Sequence, residues 1–218
     1  MKATITSLIF LLLSLTVSSQ TYKYIGIEEG LSNQKIYKIQ KDARGYMWFL
    51  THVGIDQYNG QEIKHYKLRE GNRELDPLLN INWTFLDKTG TLLVTGKQGR
   101  IFRYDSGHDR FVQIYNMYNY WNKDYHAFVR YSYIDQEDNV WLCGKSAIHL
   151  FNIESGQKQQ ISNRLGNITC IEQINSEHFF IGTDKRIYLS KLENGNLKEL
   201  SCGKLGMMDM HVHELYLH

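Results

Sequence analysis

Proline is nearly missing from this chain: Pro77 stands alone in 218 residues, against 17 glycines. A chain that turns on Gly and Asn and hardly ever on Pro suits a sheet protein, because Pro cannot donate to a ladder. Helical periodicity is absent too. Nowhere after residue 20 do apolar residues recur at 3.6-residue spacing over four turns, which argues against a helical bundle. Cysteine is scarce. Cys143, Cys170 and Cys202 are an odd number with no Cys-x-x-Cys pair, which argues against a zinc site. They read as small buried hydrophobes, and one disulfide plus a free thiol stays open. Charge of one sign never accumulates. The formal net charge is +2 with no long basic run, so the footprint of a nucleic-acid binder is missing. Gly-x-Ser-x-Gly, His-Glu-x-x-His and phosphate-cradling loops are absent as well, and no catalytic residue is assigned. Glu62, Asp124 and Asp184 show no pairing that would mark acid–base chemistry. His211 and His213 share one strand face, but ordinary strand residues explain them better than a metal site, so neither metal nor cofactor is expected.

What is present begins with a secretory signal. Lys2 gives a positive start, residues 5–17 are apolar apart from hydroxyls, and Val17, Ser18 and Ser19 offer small residues for cleavage after Ser19. The apolar stretch falls short of the roughly 20 residues needed to span a bilayer. An uncleaved anchor is the alternative. No Cys follows the stretch, which disfavours a lipid anchor. Removal of residues 1–19 takes Lys2 away, leaving 24 basic against 23 acidic residues, a net +1.

The remaining chain, residues 20–218, carries a degenerate repeat. Its clearest copy runs Asp42-Ala43-Arg44-Gly45-Tyr46-Met47-Trp48-Phe49-Leu50-Thr51-His52-Val53-Gly54 and ends at Tyr58-Asn59-Gly60. A second copy holds Asp87, Gly90, Leu93, Gly96, Gly99 and Tyr104. A third holds Asp135, Asp138-Asn139, Trp141, Gly144 and Phe151-Asn152. A looser fourth holds Ile174, Phe180, Gly182-Thr183 and Ile187-Tyr188. The steps are 45, 48 and 39 residues. A period near 40–50 residues built from short strands points to an all-β propeller.

One blade reads as four antiparallel strands. A short run containing Ile36 and Ile39 stops at Lys41. Asp-x-x-Gly makes a tight turn, since Asp bonds its own backbone and Gly accepts positive φ. Residues 46–51, 55–58 and 63–66 follow as strands, and Asn59-Gly60 predicts a type I′ hairpin with both residues at positive φ. The other strands are expected at 81–86, 92–94, 101–104 and 111–115, then 128–134, 140–143, 147–151 and 158–161, then 168–174, 178–182, 186–190 and 197–200. Blades thus span about 30–67, 81–115, 128–161 and 168–200, and a fifth begins about 208 with residues 208–217 as its inner strand. Residues 22–27 read as a further strand, suited to the outer position of a closing blade. Four blades and part of a fifth leave bare strand edges, so further blades are expected in a longer protein.

The Gly30-Leu31-Ser32-Asn33 start resembles the two-component regulator propeller repeat. So do the spacing of Ile36, Ile39 and Asp42, the run Gly45 to Thr51, and Gly54-Ile55 with Tyr58. The resemblance spans residues 22–218, although Leu93 replaces Trp in the second copy and the fourth lacks both Asp and Trp. It implies a periplasmic sensor region of a hybrid two-component system, a ligand that is often a glycan fragment, and a downstream kinase or regulator not contained in these residues. It leaves a homodimer open. Asp42, Gly45, Trp48 and Gly54 are then structural. The competing readings are a secreted propeller enzyme acting on polysaccharide and a structural interaction propeller at the cell surface.

A ligand is expected on the edge carrying the loops between second and third strands and the crossings between blades. The crossing at 116–126 is rich in aromatics and amides. Tyr118, Trp121 and Tyr125 could stack on sugar rings, or could simply pack between blades. His52, Lys97 and Lys145 sit on the short loops of three blades. The lysines would attract an anionic or uronic ligand, or serve only as solvated surface charges.

Overall fold

The computed structural model describes residues 22–120 and 128–204. Its architecture is four antiparallel sheets of four strands, each a meander in sequence order. The first sheet comprises β1 (Ile36–Lys41), β2 (Met47–Thr51), β3 (Ile55–Tyr58) and β4 (Ile63–Tyr66). A two-stranded hairpin, β5 (Arg69–Glu70) and β6 (Arg73–Glu74), and one helical turn, α1 (Pro77–Asn80), lead to the second. That sheet holds β7 (Trp83–Leu86), β8 (Leu92–Thr95), β9 (Arg100–Asp105) and β10 (Arg110–Asn116). The third holds β11 (Tyr131–Ile134), β12 (Asn139–Cys143), β13 (Ala147–Asn152) and β14 (Lys158–Ser162). The fourth holds β15 (Ile168–Gln173), β16 (His178–Thr183), β17 (Arg186–Glu193) and β18 (Asn196–Lys204). The fold is the expected all-β propeller arrangement. The first strands of successive blades lie side by side.

The turn between first and second strands shows why the repeat is spaced as it is. Backbone N–H groups of Asp42, Asp87, Asp135 and Ile174 donate to the carbonyls of Tyr46, Thr91, Asn139 and His178, four residues on in each blade. In the first three the carboxylate fills the turn. Asp42 Oδ1 accepts from the N–H of Arg44 and Tyr46 at 2.9 and 3.0 Å, while Oδ2 accepts from the Trp48 indole at 2.9 Å. Asp135 repeats this with Glu137, Asn139 and Trp141. Burying these carboxylates is tolerable because charge-assisted bonds replace their hydration. The fourth blade lacks the Asp, and Asn175 takes over one position later. Its Oδ1 accepts from the N–H of Glu177 and His178.

Period-two alternation sends successive side chains to opposite faces, and every core lies between two blades. Trp48, Leu50, Ile55 and Tyr66 meet Leu92, Val94, Phe102 and Tyr104 between blades one and two. Leu93 and Ile101 meet Val140, Leu142 and Phe151 between two and three. Trp141, Ile148 and Leu150 meet Ile168, Ile171, Phe179 and Ile181 between three and four. No blade has a core of its own, which is the reason the repeat must be tandem. The turns are joined as well. Ala43 N–H donates to Gly90 O, Lys88 N–H to Asp138 Oδ1, and Gln136 N–H to Gln173 Oε1.

Two local expectations fail. Asn59 is not left-handed; only Gly60 has positive φ there, at 101°. The loop is four residues long, with Tyr58 paired to Ile63, and Asn59 Oδ1 accepts from the N–H of Gln61 and Glu62. A side-chain cap thus replaces the type I′ geometry. Residues 22–27 form no strand. Instead Ser32 N and Oγ both donate to Asp56 Oδ2 at 2.8 Å, pinning this N-terminal segment to β3. The signal segment 1–19, the inner strand expected at 208–217 with His211 and His213, and the side chain of Cys202 lie outside the described residues.

Candidate functional site

The loops joining second to third strands and the crossings between blades share one edge, as a four-strand meander requires. Backbone bonds tie them together. Asn82 N–H donates to Thr95 O at 2.9 Å, Gln98 N–H to Leu79 O at 3.2 Å, and Val129 N–H to Lys97 O at 2.9 Å. Farther round, Arg130 N–H donates to Cys143 O, Asn163 N–H to Ser146 O, and Asp184 N–H to Asn167 O. Asn163 adds two side-chain donations, to Gly144 O and Gly166 O, both at 2.8 Å.

Small residues make these crossings possible. A Cβ on Gly96 would lie 2.3 Å from the Asn80 Cα, so only glycine lets α1 rest on that loop. In blades one and four a threonine closes the loop instead. Thr51 Oγ1 accepts from Gly54 N–H and Thr183 Oγ1 from Arg186 N–H, at 3.2 and 3.0 Å. The edge is therefore a preorganised platform, the condition under which a loop surface can bind without a large ordering cost.

Of the expected ligand contacts, His52 is half-buried and its Nδ1 lies 2.7 Å from the Tyr37 hydroxyl. Lys97 and Lys145 are exposed on corresponding loops of adjacent blades. His52, Lys97 and Lys145 share no hydrogen bond, ion pair or ring contact with one another among the described residues. Tyr118 is half-buried against the core between blades two and three, with a phenol pKa raised by burial against the opposing pull of Arg100. Packing is thus at least part of its role. Trp121 and Tyr125 lie outside the described residues.

Sequence reading missed Arg100. Its guanidinium is almost fully buried beneath this edge, 2.5 Å from Gln98 Oε1 and 3.5 Å from Asn80 Oδ1, with Glu70 also at 3.5 Å. The signal was a charge opening the apolar strand Arg100-Ile101-Phe102. A buried, multiply bonded Arg fixes the loop and the β5–β6 hairpin together. Among the described residues no cluster of His, Cys, Asp and Glu could hold a metal ion.

The stacked four-strand sheets define a β-propeller. Residues 30–52, which run from Gly30 through β1 and the Asp42 turn to His52, match the family model described as the two component regulator propeller. The chain carries a two-component regulator propeller repeat in its first blade. Among solved structures, it resembles one described as the extracellular domain of a hybrid two component system, BT3049, from B. thetaiotaomicron. The identity is 18%, the TM-score 0.62, and the match covers 82% of this chain and 26% of that one. A second, PorZ, described as a surface component of the type-IX secretion system of Porphyromonas gingivalis, matches at 12% identity and TM-score 0.57, over 82% and 24% of the two chains. These likenesses show the fold. The chain spans about a quarter of the length of either. No curated protein matches it. No helix among the described residues is long and apolar enough to cross a membrane.

Proposed function

We propose that this chain belongs to the ligand-sensing, extracytoplasmic propeller of a two-component signalling protein, and that the propeller recognises a saccharide on its loop edge. The observation carrying this reading is the regulator-propeller match over residues 30–52, at the blade where the turn chemistry is most complete. The fold shared with an extracellular domain of a hybrid two-component system supports it, as does the secretory character of residues 1–19. Further blades of the same protein complete the ring, and a kinase or regulator receives the signal. The platform holds Lys97 and Lys145 on fixed loops, and the aromatic crossing 116–126, with Tyr118 half-buried, follows the second blade. That combination suits a carbohydrate, because rings stack on sugar faces while amides and ammonium groups bond hydroxyls and acids.

The test is a thermal-shift screen of the intact protein against glycan fragments, followed by titration of any that stabilise it. A glycan should raise the melting temperature, and K97A/K145A should weaken its binding about tenfold. A screen with no stabilising glycan counts against the saccharide. A second reading, a structural propeller at the cell surface, draws on the fold shared with PorZ. It predicts a stable protein partner and no glycan response.

A further inference from the structure

Six exposed cations stand on the loop edge. Lys35 borders the first blade's loop, where its carbonyl accepts from His52 N–H at 3.1 Å. Lys97 lies in the second blade's loop, Arg130 and Lys145 at the third, Arg164 in the crossing that follows, and Lys185 in the fourth blade's loop. None of the six has an ion pair among the described residues. The acids of this edge are engaged. Asp76 Oδ1 accepts from Leu78 N–H at the start of α1, and Asp184 Oδ2 from the Asn167 amide. Glu70 and Glu74 of the β5–β6 hairpin pair with Arg73, Arg100 and Lys67. At the opposite edge, every turn from third to fourth strand carries an acid in it or beside it: Glu62, Asp105, Glu154 and Glu193. A nearly neutral chain is thus polarised from edge to edge. No basic run announces this in the sequence, because the cations arrive one loop at a time and the blade period brings them to one side.

The same loops expose apolar side chains. Val53, Leu78 and Phe128 are 41, 43 and 48% exposed. Val53 lies in the first blade's loop, and Leu78 on α1, which rests on the Gly96 loop. Phe128 follows the second blade, just before Val129, whose N–H donates to Lys97 O. A Cβ on Gly144 would lie 3.8 Å from Phe128 O, so Phe128 also borders the third blade's loop. Charges spread over the loops of four blades suit an extended anionic surface, whose field acts on all of them together. The apolar tips select a bilayer among such surfaces. Headgroup phosphates meet the cations, while the interface takes up apolar area that a polar polyanion would leave in contact with water.

We propose that the loop edge docks the propeller on an anionic phospholipid surface, with the cations against the headgroups and Val53, Leu78 and Phe128 entering the interface. The acidic edge then points away from the membrane, and the field turns the propeller as it approaches. This goes beyond the sensor reading and needs no saccharide. Lys97 and Lys145 serve in both, so the charges to be tested are the others.

The test is co-sedimentation of the intact protein with phosphatidylcholine vesicles, with and without phosphatidylglycerol, at low and physiological ionic strength. The protein should bind the vesicles that contain phosphatidylglycerol, more weakly as salt rises, and not those of phosphatidylcholine alone. Each basic residue near such a surface is worth about fivefold in affinity, so R130Q/R164Q/K185Q should bind about a hundredfold more weakly at unchanged melting temperature. V53S/L78S should lose about tenfold, also without a change in melting temperature. No binding to phosphatidylglycerol vesicles, equal binding to phosphatidylcholine alone, or R130Q/R164Q/K185Q binding like the parent protein would each overturn the proposal. V53S/L78S binding like the parent would overturn it too, and would assign the cations to an acidic protein partner. Glycan stabilisation of a protein that ignores vesicles removes the membrane contact alone and leaves the sensor reading standing.

Discussion

The Arg103 guanidinium lies 2.7 Å from Asp87 Oδ2, on the carboxylate oxygen that an indole N–H occupies in the blades on either side. Arg103 is the cross-strand partner of Leu93, the residue standing where Trp48 and Trp141 stand. Leucine has no donor, and the neighbouring strand supplies a charge partner instead: the contact is an ion pair without hydrogen-bond geometry. The second blade thus keeps its buried Asp turn without its Trp.

Removing the partner of either carboxylate should therefore cost stability, more where the partner is a buried indole than where it is a partly exposed guanidinium. Trp141→Phe keeps most of the ring and removes one of the two donors on Asp135 Oδ2, the Asn139 amide remaining, an expected loss of about 1.5–3 kcal/mol. Arg103→Met should fall at or below the lower end of that range, because Arg103 is partly exposed. Urea unfolding checks both. A Trp141→Phe variant as stable as the parent would show that the carboxylate is satisfied in another way.

Gly90 tests the joining of neighbouring turns. It has φ of 74°, and a Cβ there would lie 2.3 Å from the Ala43 Cβ. Gly60 has φ of 101° and open space around it. Gly60→Ala should cost only the left-handed penalty of about 1–2 kcal/mol, and Gly90→Ala clearly more. Equal losses in denaturant unfolding would mean that the two turns do not press on each other.

His149 makes stability depend on pH. It is buried, and burial pushes its pKa down from its ordinary 6.5 to about 4. The unfolded state therefore takes up the proton first. Stability contributed by the neutral ring is present above about pH 6.5 and falls as the pH drops towards 4, by about 1–3 kcal/mol in total. His149→Gln should flatten that part of the profile in unfolding measured at pH 7, 5.5 and 4.5. An unchanged slope would assign the loss to other groups.

The N-terminal segment should come loose when its anchor is cut. Asp56 is fully buried and holds Ser32 by two bonds and His65 Nδ1 at 2.8 Å. Asp56→Ala should speed amide exchange of Leu31 and Ser32 far more than that of β8. Uniform exchange across both regions would argue against a local latch.

The strands were legible to within two or three residues almost everywhere, because the signals are local. Asp-x-x-Gly fixes one turn, alternation fixes each face, and the period places the next blade. Even the fourth blade, without Asp or Trp, falls in the expected register. Asn59-Gly60 misled because Asn can either adopt a left-handed backbone or cap a turn with its side chain, and four loop residues favoured the second. The ligand-facing residues were less legible. Tyr118 was as good a packing residue as a binding one, and it is half-buried against the core between blades two and three. Arg100 escaped notice because its partners Gln98, Asn80 and Glu70 meet only after the crossing folds back.

The amino-acid order alone set the repeat length, the turns and which side chains share a face, all of which depend on neighbours a few residues away. Tertiary structure alone decided that Arg103 stands in for an indole, that Asn175 replaces an Asp from one position along, and that Arg100 meets Gln98, Asn80 and Glu70. These depend on strands from different hairpins or blades arriving side by side, and no spacing along the chain encodes that distance.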